Sequence, residues 1–279
     1  MPASGLKTGE APAIVALMRL LFLGDVVGKG ARGALRKRLR ALRRERNVSF
    51  VVANGENAAG GKGLDPDSAD ELFDAGVDVI TTGNHVWQHR SLLPVLEHET
   101  RILRPANFPE GNPGRGWTVQ QSTNGVSVAV VNLIGRVFMG SFDCPFRAAD
   151  RILKRIGSEA DVVLVDMHAE TTSEKVAMGW HLAGRVAAVV GSHTHIQTAD
   201  ERVLPGGTAY LTDAGMCGPI DSVIGMRRDE VLHRFVTQMP VRFDVAKGPI
   251  LVQGALVDVD PEHGTATAVE RVQEAQESC

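Results

Sequence analysis

The sequence predicts an α/β fold built on mixed β-sheets, and three observations lead to this class. First, hydrophobic segments typical of strands alternate with helical patterns over most of the chain, as in βα units. Second, several later segments, two of them joined by an Asn-Gly turn, have the pattern of antiparallel strands. Third, four of the strand-like segments end in Asp, Glu, Asn or His side chains. Such groups gather beyond the carboxyl ends of strands in an α/β sheet, so these clusters are expected to meet in one crevice.

The first half of the chain predicts three βα units. Leucines at helical spacing predict the first helix, and runs of glycine and proline separate the later elements. In order, the elements are a strand ending at Asp25, a helix over 31–46, a strand over 48–53, a helix over 66–75, a strand ending at Asn84 and a helix over 88–98.

The second half predicts a hairpin, two further βα units and closing strands. The turn STNG joins the hairpin segments WTVQQ and VSVAVVNLI, because Asn-Gly readily takes the positive φ angles of tight turns. The other elements are a helix over 145–156, a strand ending at His168, a helix over 173–183, a strand ending in GSHTH, and strands in TAYLTDAG, HRFVTQMPVRFDVA and ILVQGALVDVD.

The size and composition of the chain favour a single large domain. With 279 residues, 43% of them hydrophobic, the chain can bury a substantial core near the upper size of one domain. We expect this domain to span residues 18–262, with 1–17 as an N-terminal tail and 263–279 as a C-terminal tail. The apolar stretch 11–23 is interrupted by Arg19 and contains the first strand, which argues against a signal peptide.

Charge and cysteine usage exclude several function classes. A net charge of -3 gives no global attraction to nucleic acid or to an anionic membrane, and no later segment approaches the roughly 20 apolar residues of a membrane span. Cys144, Cys217 and Cys279 form no CxxC pair, which argues against a disulfide framework and a thiolate zinc site. We therefore expect a cytoplasmic protein without membrane contact.

The residues at the strand ends are typical metal ligands. Carboxylate, amide and imidazole donors without a nearby thiolate suit iron, manganese or zinc, and affinity order alone does not separate these metals. The inventory is large enough for two metal ions that share a bridging carboxylate. The candidate ligands are Asp25, Glu56, Asn57, Asn84, His168, His193 and His195.

The motifs that contain these residues resemble a known family nearly end to end. GDVVGKGAR, NGENAAGG, GNHVW, RPANFP, DMHAE, GSHTHIQTAD and TDAGMCGP are similar to the blocks of the YmdB-like family of calcineurin-like metallophosphoesterases. The resemblance implies that family's fold, in which two mixed β-sheets pack face to face with helices outside. It also implies a homo-oligomer, and hydrolysis of small cyclic nucleotides, 2′,3′-cyclic ones in particular.

The same resemblance implies a role for each candidate ligand. One metal is held by Asp25, Asn57 and His195; the other is held by Asn84, His168 and His193; Glu56 bridges the two and His85 lies beside them without ligating. Two positions differ from the wider superfamily, since Val27 replaces a usual histidine ligand and Glu56 replaces a bridging aspartate. We expect two metal ions per chain, with iron favoured and manganese or zinc as alternatives.

The proposed chemistry follows from charge. A water or hydroxide between two metals has a lowered pKa and attacks the phosphorus, while His85 protonates the leaving oxygen as general acid. Two alternatives stay open: a phosphomonoesterase or phosphoprotein phosphatase, and a regulatory RNA-binding protein with structural metals.

The RNA-binding alternative depends on the first helix, whose charge is almost all positive. Such runs are most often solvated faces, but a basic stripe also attracts polyanions. Its cations are Arg32, Arg36, Lys37, Arg38, Arg40, Arg43, Arg44 and Arg46.

Overall fold

The computed structural model describes residues 17–276, which contain fourteen strands and six helices. The strands are β1 Met18–Leu23, β2 Asp25–Val26, β3 Phe50–Asn54, β4 Val79–Thr81, β5 Ile102–Leu103, β6 Trp117–Gln121, β7 Ser127–Ile134, β8 Val162–His168, β9 Ala188–Ser192, β10 Arg202–Leu204, β11 Thr208–Leu211, β12 Met216–Pro219, β13 Ile250–Asp260 and β14 Thr265–Gln276. The helices are α1 Gly28–Glu45, α2 Pro66–Ala75, α3 Leu92–His98, α4 Pro145–Ile156, α5 Thr172–Leu182 and α6 Arg228–Thr237.

The strands form two mixed sheets. The first has the order β2-β12-β13-β1-β3-β4-β5, and β14 pairs with β13; β1, β3, β4 and β5 are parallel, whereas β13 is antiparallel to β1. The second has the order β10-β11-β9-β8-β7-β6, in which β7, β8, β9 and β11 are parallel. The predicted mixture of parallel and antiparallel strands is confirmed.

Three hydrophobic clusters show how the layers stack. Alternate residues of each strand point to opposite faces, so Leu20 and Phe22 of β1 meet Val130 of β7 and Leu164 of β8 between the sheets. On the outer face of the first sheet, Leu21 and its neighbours pack against α1 and α2. A third cluster joins the second sheet to α4 and α5. The predicted arrangement of two face-to-face sheets flanked by helices is thus confirmed.

Local signals explain why some predicted bounds agree with the structure. Helix α2 matches its predicted span because Pro66 begins it, Asp65 caps it by accepting from the Ser68 amide at 2.8 Å, and Gly76 ends it at φ 111°. Helix α3 begins later than predicted, at Leu92. Its Pro94 then lies within the first turn, where no N–H is needed.

Two predictions near the C-terminus are wrong. The segment HRFVTQMPVRFDVA was predicted to form strands, yet its first part belongs to α6, whose first turn carries Asp229 and Glu230, and the rest, with Pro240, is irregular. Within the predicted tail over 263–279, residues Thr265–Gln276 form β14 and pair along the whole of β13. The predicted tail over 1–17 lies outside the described residues apart from Leu17, and the outer bounds of the domain stay predictions. None of the described helices has the length and apolar character needed to cross a membrane.

We expect β14 to be an integral part of the first sheet. Val272 is 2% exposed within the cluster beneath α1, so Val272→Asp would bury a carboxylate without a partner and lower the free energy of unfolding by about 3 kcal/mol or more. Thermal or denaturant unfolding measures this change. Ala275→Asp, at an exposed position of the same strand, is the matched control, and equal stability of the two variants would contradict the assignment.

Candidate metal centre

The candidate ligands lie at the carboxyl ends of strands from both sheets. Asp25 follows β1, and the Glu56 and Asn84 motifs follow β3 and β4 of the first sheet. His168 ends β8, and His193 follows β9 of the second sheet. Side chains that are far apart in sequence therefore meet where the two sheets join. All seven candidate ligands and His85 are brought together, while their individual roles stay predictions.

One half of the cluster is built around His168, which is completely buried. Its Nε2 lies 3.1 Å from Asn84 Oδ1, 3.1 Å from His193 Nδ1 and 3.3 Å from Glu56 Oε1. Ligand atoms of Glu56, His168 and His193 all lie within 4.8 Å of one another. These are the residues that the family resemblance assigns to one metal and to the bridge.

The other half contains Asp25, Asn57 and His195. His195 Nε2 lies 3.1 Å from the Asn57 side-chain nitrogen and 3.6 Å from Asp25 Oδ1. Asp25 is completely buried, and its Oδ1 has no hydrogen-bond partner among the described residues. A buried carboxylate oxygen without a donor is costly unless a cation compensates it.

The donor set fits metal ions. A hydrogen-bond chain fixes the His168 tautomer: Ser192 Oγ donates to Asp166 at 2.6 Å and therefore accepts from His168 Nδ1 at 2.9 Å. When this imidazole is neutral, Nε2 carries a lone pair that faces the carboxylate, amide and imidazole acceptors of Glu56, Asn84 and His193. Acceptors that converge in this way need a metal cation or a proton between them.

The titratable residues of the cluster shift one another's pKa values. Burial lowers the pKa of His195, but the negative charge of Asp25 outweighs this effect and raises that pKa to about 9. Burial and the charge of His168 lower the pKa of His193 to about 3. Burial opposes ionisation of Glu56, yet the neighbouring histidines leave its pKa well below the ordinary range. In the metal-free chain, protons on some imidazoles thus balance the carboxylates.

Asp166 and Ser192 were missed by the sequence analysis although they position a candidate ligand. Asp166 is buried at the end of β8, where it also accepts from Thr81 Oγ1 at 2.5 Å and from the Asn54 side chain at 3.1 Å. Burial raises the pKa of Asp166 to about 6. Both residues lie inside hydrophobic strands, so no local pattern marked them.

The turn that carries His193 and His195 has strained backbone. Both residues have positive φ, 96° and 63°, a region that side chains with a Cβ rarely occupy. Asp25 Oδ2 accepts from the His193 amide at 3.0 Å, and Asp213 accepts from the Thr194 hydroxyl at 2.6 Å. The structure thus places Asp213 against Thr194 rather than against either histidine ring.

A buried ion pair supports this turn. Lys175 Nζ of α5 lies 2.6 Å from Asp213 Oδ2, and their side chains are 1% and 0% exposed. Asp213 also accepts from the Gly215 amide at 2.8 Å. No sequence pattern marked Lys175, because a lone lysine in a helix is ordinarily solvated.

His85 lies at the mouth of the cluster, in a cavity of about 300 Å³. Its Nδ1 is 3.1 Å from Asn57 Oδ1, its backbone amide lies 3.3 Å from Glu56 Oε2, and its side chain is 28% exposed. Among the described residues, no side chain or carbonyl bonds to His85 Nε2. The cavity is lined by Glu56, Asn57, Gly61, His85, Glu170, His193, Thr194, His195, Ile224 and Met226.

A glycine of the GNH motif leaves room for the ligands. A Cβ on Gly83 would overlap both His168 Nε2 and Glu56 Oε2, so no larger residue fits there without displacing the cluster. Arg104, in contrast, donates to the backbone carbonyls of Pro105 and Pro113 and so packs against its own loop.

We expect Ser192→Ala to weaken metal binding without unfolding the protein. Removing the hydroxyl releases the His168 tautomer, and loss of such a partner costs about 10- to 100-fold in metal affinity. Elemental analysis and competition with a chelator measure the change. Ser127→Ala, on β7 away from the cluster, is the control, and unchanged metal affinity in Ser192→Ala would refute the positioning role.

We expect Lys175→Met to destabilise the fold by about 3–5 kcal/mol, because it leaves Asp213 buried without a countercharge. Adding Asp213→Asn removes that charge but keeps a side-chain oxygen for the Thr194 hydroxyl, so the double variant should recover part of the stability. Denaturant unfolding of the wild type, single and double variants tests this. A double variant less stable than Lys175→Met would contradict the argument.

Comparisons with known proteins agree with the motifs and the fold. The family model described as YmdB-like protein matches residues 21–272. A 2′,3′-cyclic-nucleotide 2′-phosphodiesterase of Bacillus subtilis is 45% identical over 255 residues, which cover 91% of this chain and 96% of that protein.

Two crystal structures are also similar. A hypothetical protein from Thermus thermophilus has a TM-score of 0.86 and 42% identity, over 94% of this chain and 100% of that one. A novel phosphatase from Mycoplasma pneumoniae has a TM-score of 0.88 and 32% identity, over 95% of each chain. The predicted metallophosphoesterase fold is confirmed, and the chain belongs to the family of YmdB-like proteins.

Proposed function

We propose that this protein is a dinuclear metal-dependent phosphodiesterase that hydrolyses 2′,3′-cyclic nucleotides. The observation that carries the proposal is the convergence of the seven candidate ligands in one cluster at the junction of the sheets. His85 and four of these residues, Glu56, Asn57, His193 and His195, line one cavity. The substrate class rests on the similarity to the Bacillus subtilis 2′,3′-cyclic-nucleotide 2′-phosphodiesterase. The proposed site residues are Asp25, Glu56, Asn57, Asn84, His168, His193 and His195 as ligands and His85 as general acid.

The reaction is a hydrolysis that opens the cyclic phosphodiester. When bound, two cations would polarise the phosphoryl oxygens and lower the pKa of the attacking water. The water oxygen bonds to phosphorus, the bond from phosphorus to the ribose 2′-oxygen breaks, and that oxygen takes a proton. The product is a 3′-phosphomonoester with a free 2′-hydroxyl.

His85 would supply that proton. Its Nε2 has no partner among the described residues and its ring lines the cavity, whereas its Nδ1 is held by Asn57. A group that is oriented on one side and open on the other suits proton transfer to a leaving oxygen.

Asn57 and Glu56 hold His85 from one side. Asn57 Oδ1 lies 3.1 Å and Glu56 Oε1 lies 3.4 Å from His85 Nδ1, so this nitrogen faces oxygen acceptors and suits an N–H donor. An imidazolium held in this way carries its second proton on Nε2, the atom open to the cavity, and would release that proton to the leaving oxygen and become a neutral imidazole.

Iron is the proposed metal, with manganese and zinc as alternatives. Mixed imidazole, carboxylate and amide donors without a thiolate suit all three. Cys217 of β12 is the described cysteine that lies nearest in sequence to a candidate ligand. It is buried, and burial raises the pKa of its thiol to about 12, so it is a poor metal ligand.

A homo-oligomer and a cytoplasmic location are also part of the proposal. Helix α6 has only one buried residue and exposes Leu232, Phe235 and Val236, which suits contact with a second copy of the chain. Cys144 and Cys217 are free thiols, as expected in a reducing compartment.

We expect His85→Ala to retain two metals per chain while turnover of 2′,3′-cyclic AMP falls by about 10²- to 10⁴-fold, because only the general acid is lost. Glu56→Ala should lose both metal and turnover. Elemental analysis and product chromatography provide the two measurements. His98→Ala, an exposed histidine of α3, is the matched control.

Two results would oppose the proposal. Unchanged turnover in His85→Ala would remove this residue from the mechanism. Faster hydrolysis of p-nitrophenyl phosphate than of bis(p-nitrophenyl) phosphate would favour the phosphomonoesterase alternative.

A further inference from the structure

A second cavity, of about 650 Å³, lies beside the catalytic one and is lined with unpaired cations. It runs between the first half of α1 and the segment that precedes β13. We call it the basic groove. It is lined by Lys29, Gly30, Gly33, Arg36, Lys37, Glu71, Ala246, Lys247, Gly248 and Ile250.

The charges of α1 divide into two groups. Arg32, Arg38, Arg43 and Arg46 form ion pairs, and Arg40 donates to a backbone carbonyl, so these side chains brace the helix against its neighbours. The cations of the basic groove are different. Within residues 17–276, no carboxylate forms an ion pair with Lys29, Arg36, Lys37 or Lys247.

The groove is therefore strongly positive although the whole chain is slightly acidic. All four cations are exposed. The one acidic residue in its lining, Glu71, is already paired with Arg32 at 2.9 Å. Three glycines in the lining leave the groove free of bulky side chains. A concave, open and positive surface of this kind binds a chain of phosphates well, and it has no aromatic side chain to select a base.

The groove adjoins the catalytic cavity. Met226 lines the catalytic cavity and forms a β-bridge with Val245, and the next two residues after Val245 line the groove. Helix α1 begins only three residues after Asp25, and the Gly28 amide donates to the Asn57 carbonyl at 3.0 Å. Residues that line the two cavities are thus joined by one β-bridge and by adjacent positions in the chain.

We propose that the basic groove binds the backbone phosphates of an RNA strand whose 3′ end, closed as a 2′,3′-cyclic phosphate, lies in the catalytic cavity. This inference rests on the proposed function and extends its substrate from a mononucleotide to an RNA terminus. A mononucleotide has no phosphate beyond the one at the metals, so it cannot use the groove. Each further nucleotide adds one phosphate that a groove cation can neutralise.

Charge removal tests the groove. The variant Arg36→Gln/Lys37→Gln/Lys247→Gln is compared with wild type on 2′,3′-cyclic AMP and on a 5′-fluorescein pentaadenylate that ends in a 2′,3′-cyclic phosphate. We expect kcat/KM for the pentanucleotide to fall by about tenfold or more, while the value for the mononucleotide stays the same. In fluorescence anisotropy, the slope of log affinity against log salt should become shallower by about 2, since three phosphate contacts are lost.

A matched variant controls for charge alone. Arg147→Gln/Lys154→Gln/Arg155→Gln removes the same charge from exposed positions of α4, on the other sheet, and should leave both substrates unaffected. Equal pentanucleotide binding by the wild type and the groove variant would overturn the proposal. So would binding to phosphatidylglycerol vesicles, but not to the pentanucleotide, that depends on the groove.

Anisotropy also separates this inference from the proposed function. Groove-dependent binding of the pentanucleotide without hydrolysis of either substrate would refute the phosphodiesterase activity and support RNA binding at the groove. Hydrolysis of the mononucleotide, with pentanucleotide binding that does not depend on the groove, would support the activity and refute binding at the groove.

Discussion

The constraint on which the rest of the site depends is a set of lone pairs that face one another at the junction of two sheets. Asp25, Glu56, Asn84, His168 and His193 turn acceptor atoms toward a shared centre, and few donors lie among them. Such an arrangement repels itself unless cations or protons occupy it. It persists because each member is fixed from behind by the strands, so that the folding of both sheets holds the ligands in place.

The fixing groups are themselves costly. Asp166 and Asp213 are buried carboxylates, and the turn through His193 and His195 has positive φ angles that favour glycine. Hydroxyl donors, one lysine and the packing of β8 and β9 offset these costs. The free energy of burying these groups is thus used to preorganise the site, since ligands that are already oriented lose little entropy when a metal binds.

The candidate ligands could be predicted from the sequence because the hydrophobic strand segment and the polar residue that follows it are neighbours in the chain. A hydrophobic run followed at once by Asp25 or by the GNH motif at Asn84 needs no knowledge of distant residues. Helix α2 was predictable for the same reason, through its cap and its terminal glycine. The supporting residues were not predictable. Ser192 looks like any small residue in a buried strand, and Lys175 gains its role only when α5 packs against the second sheet.

The two errors at the C-terminus have a related cause. Strand β14 places charged and polar side chains on its open face, so its composition looks like that of a solvated tail, and only pairing with β13 makes it a strand. Helix α6 exposes Leu232, Phe235 and Val236, so its apolar residues do not mark one buried helical face. Where the element that a segment packs against is distant in sequence, the spacing of its hydrophobic residues no longer predicts its secondary structure.

Val27 and Asn57 together shape the Asp25 side of the cluster. Val27 is fully buried and packs toward Gly225, so position 27 offers a hydrophobic contact and no ligand atom. Asn57 stands next to Glu56, and its side-chain nitrogen lies 3.1 Å from His195 Nε2 while its oxygen lies 3.1 Å from His85 Nδ1. One amide thus contacts both the Asp25 side of the cluster and the histidine at its mouth, so a change at position 57 would disturb both contacts at once.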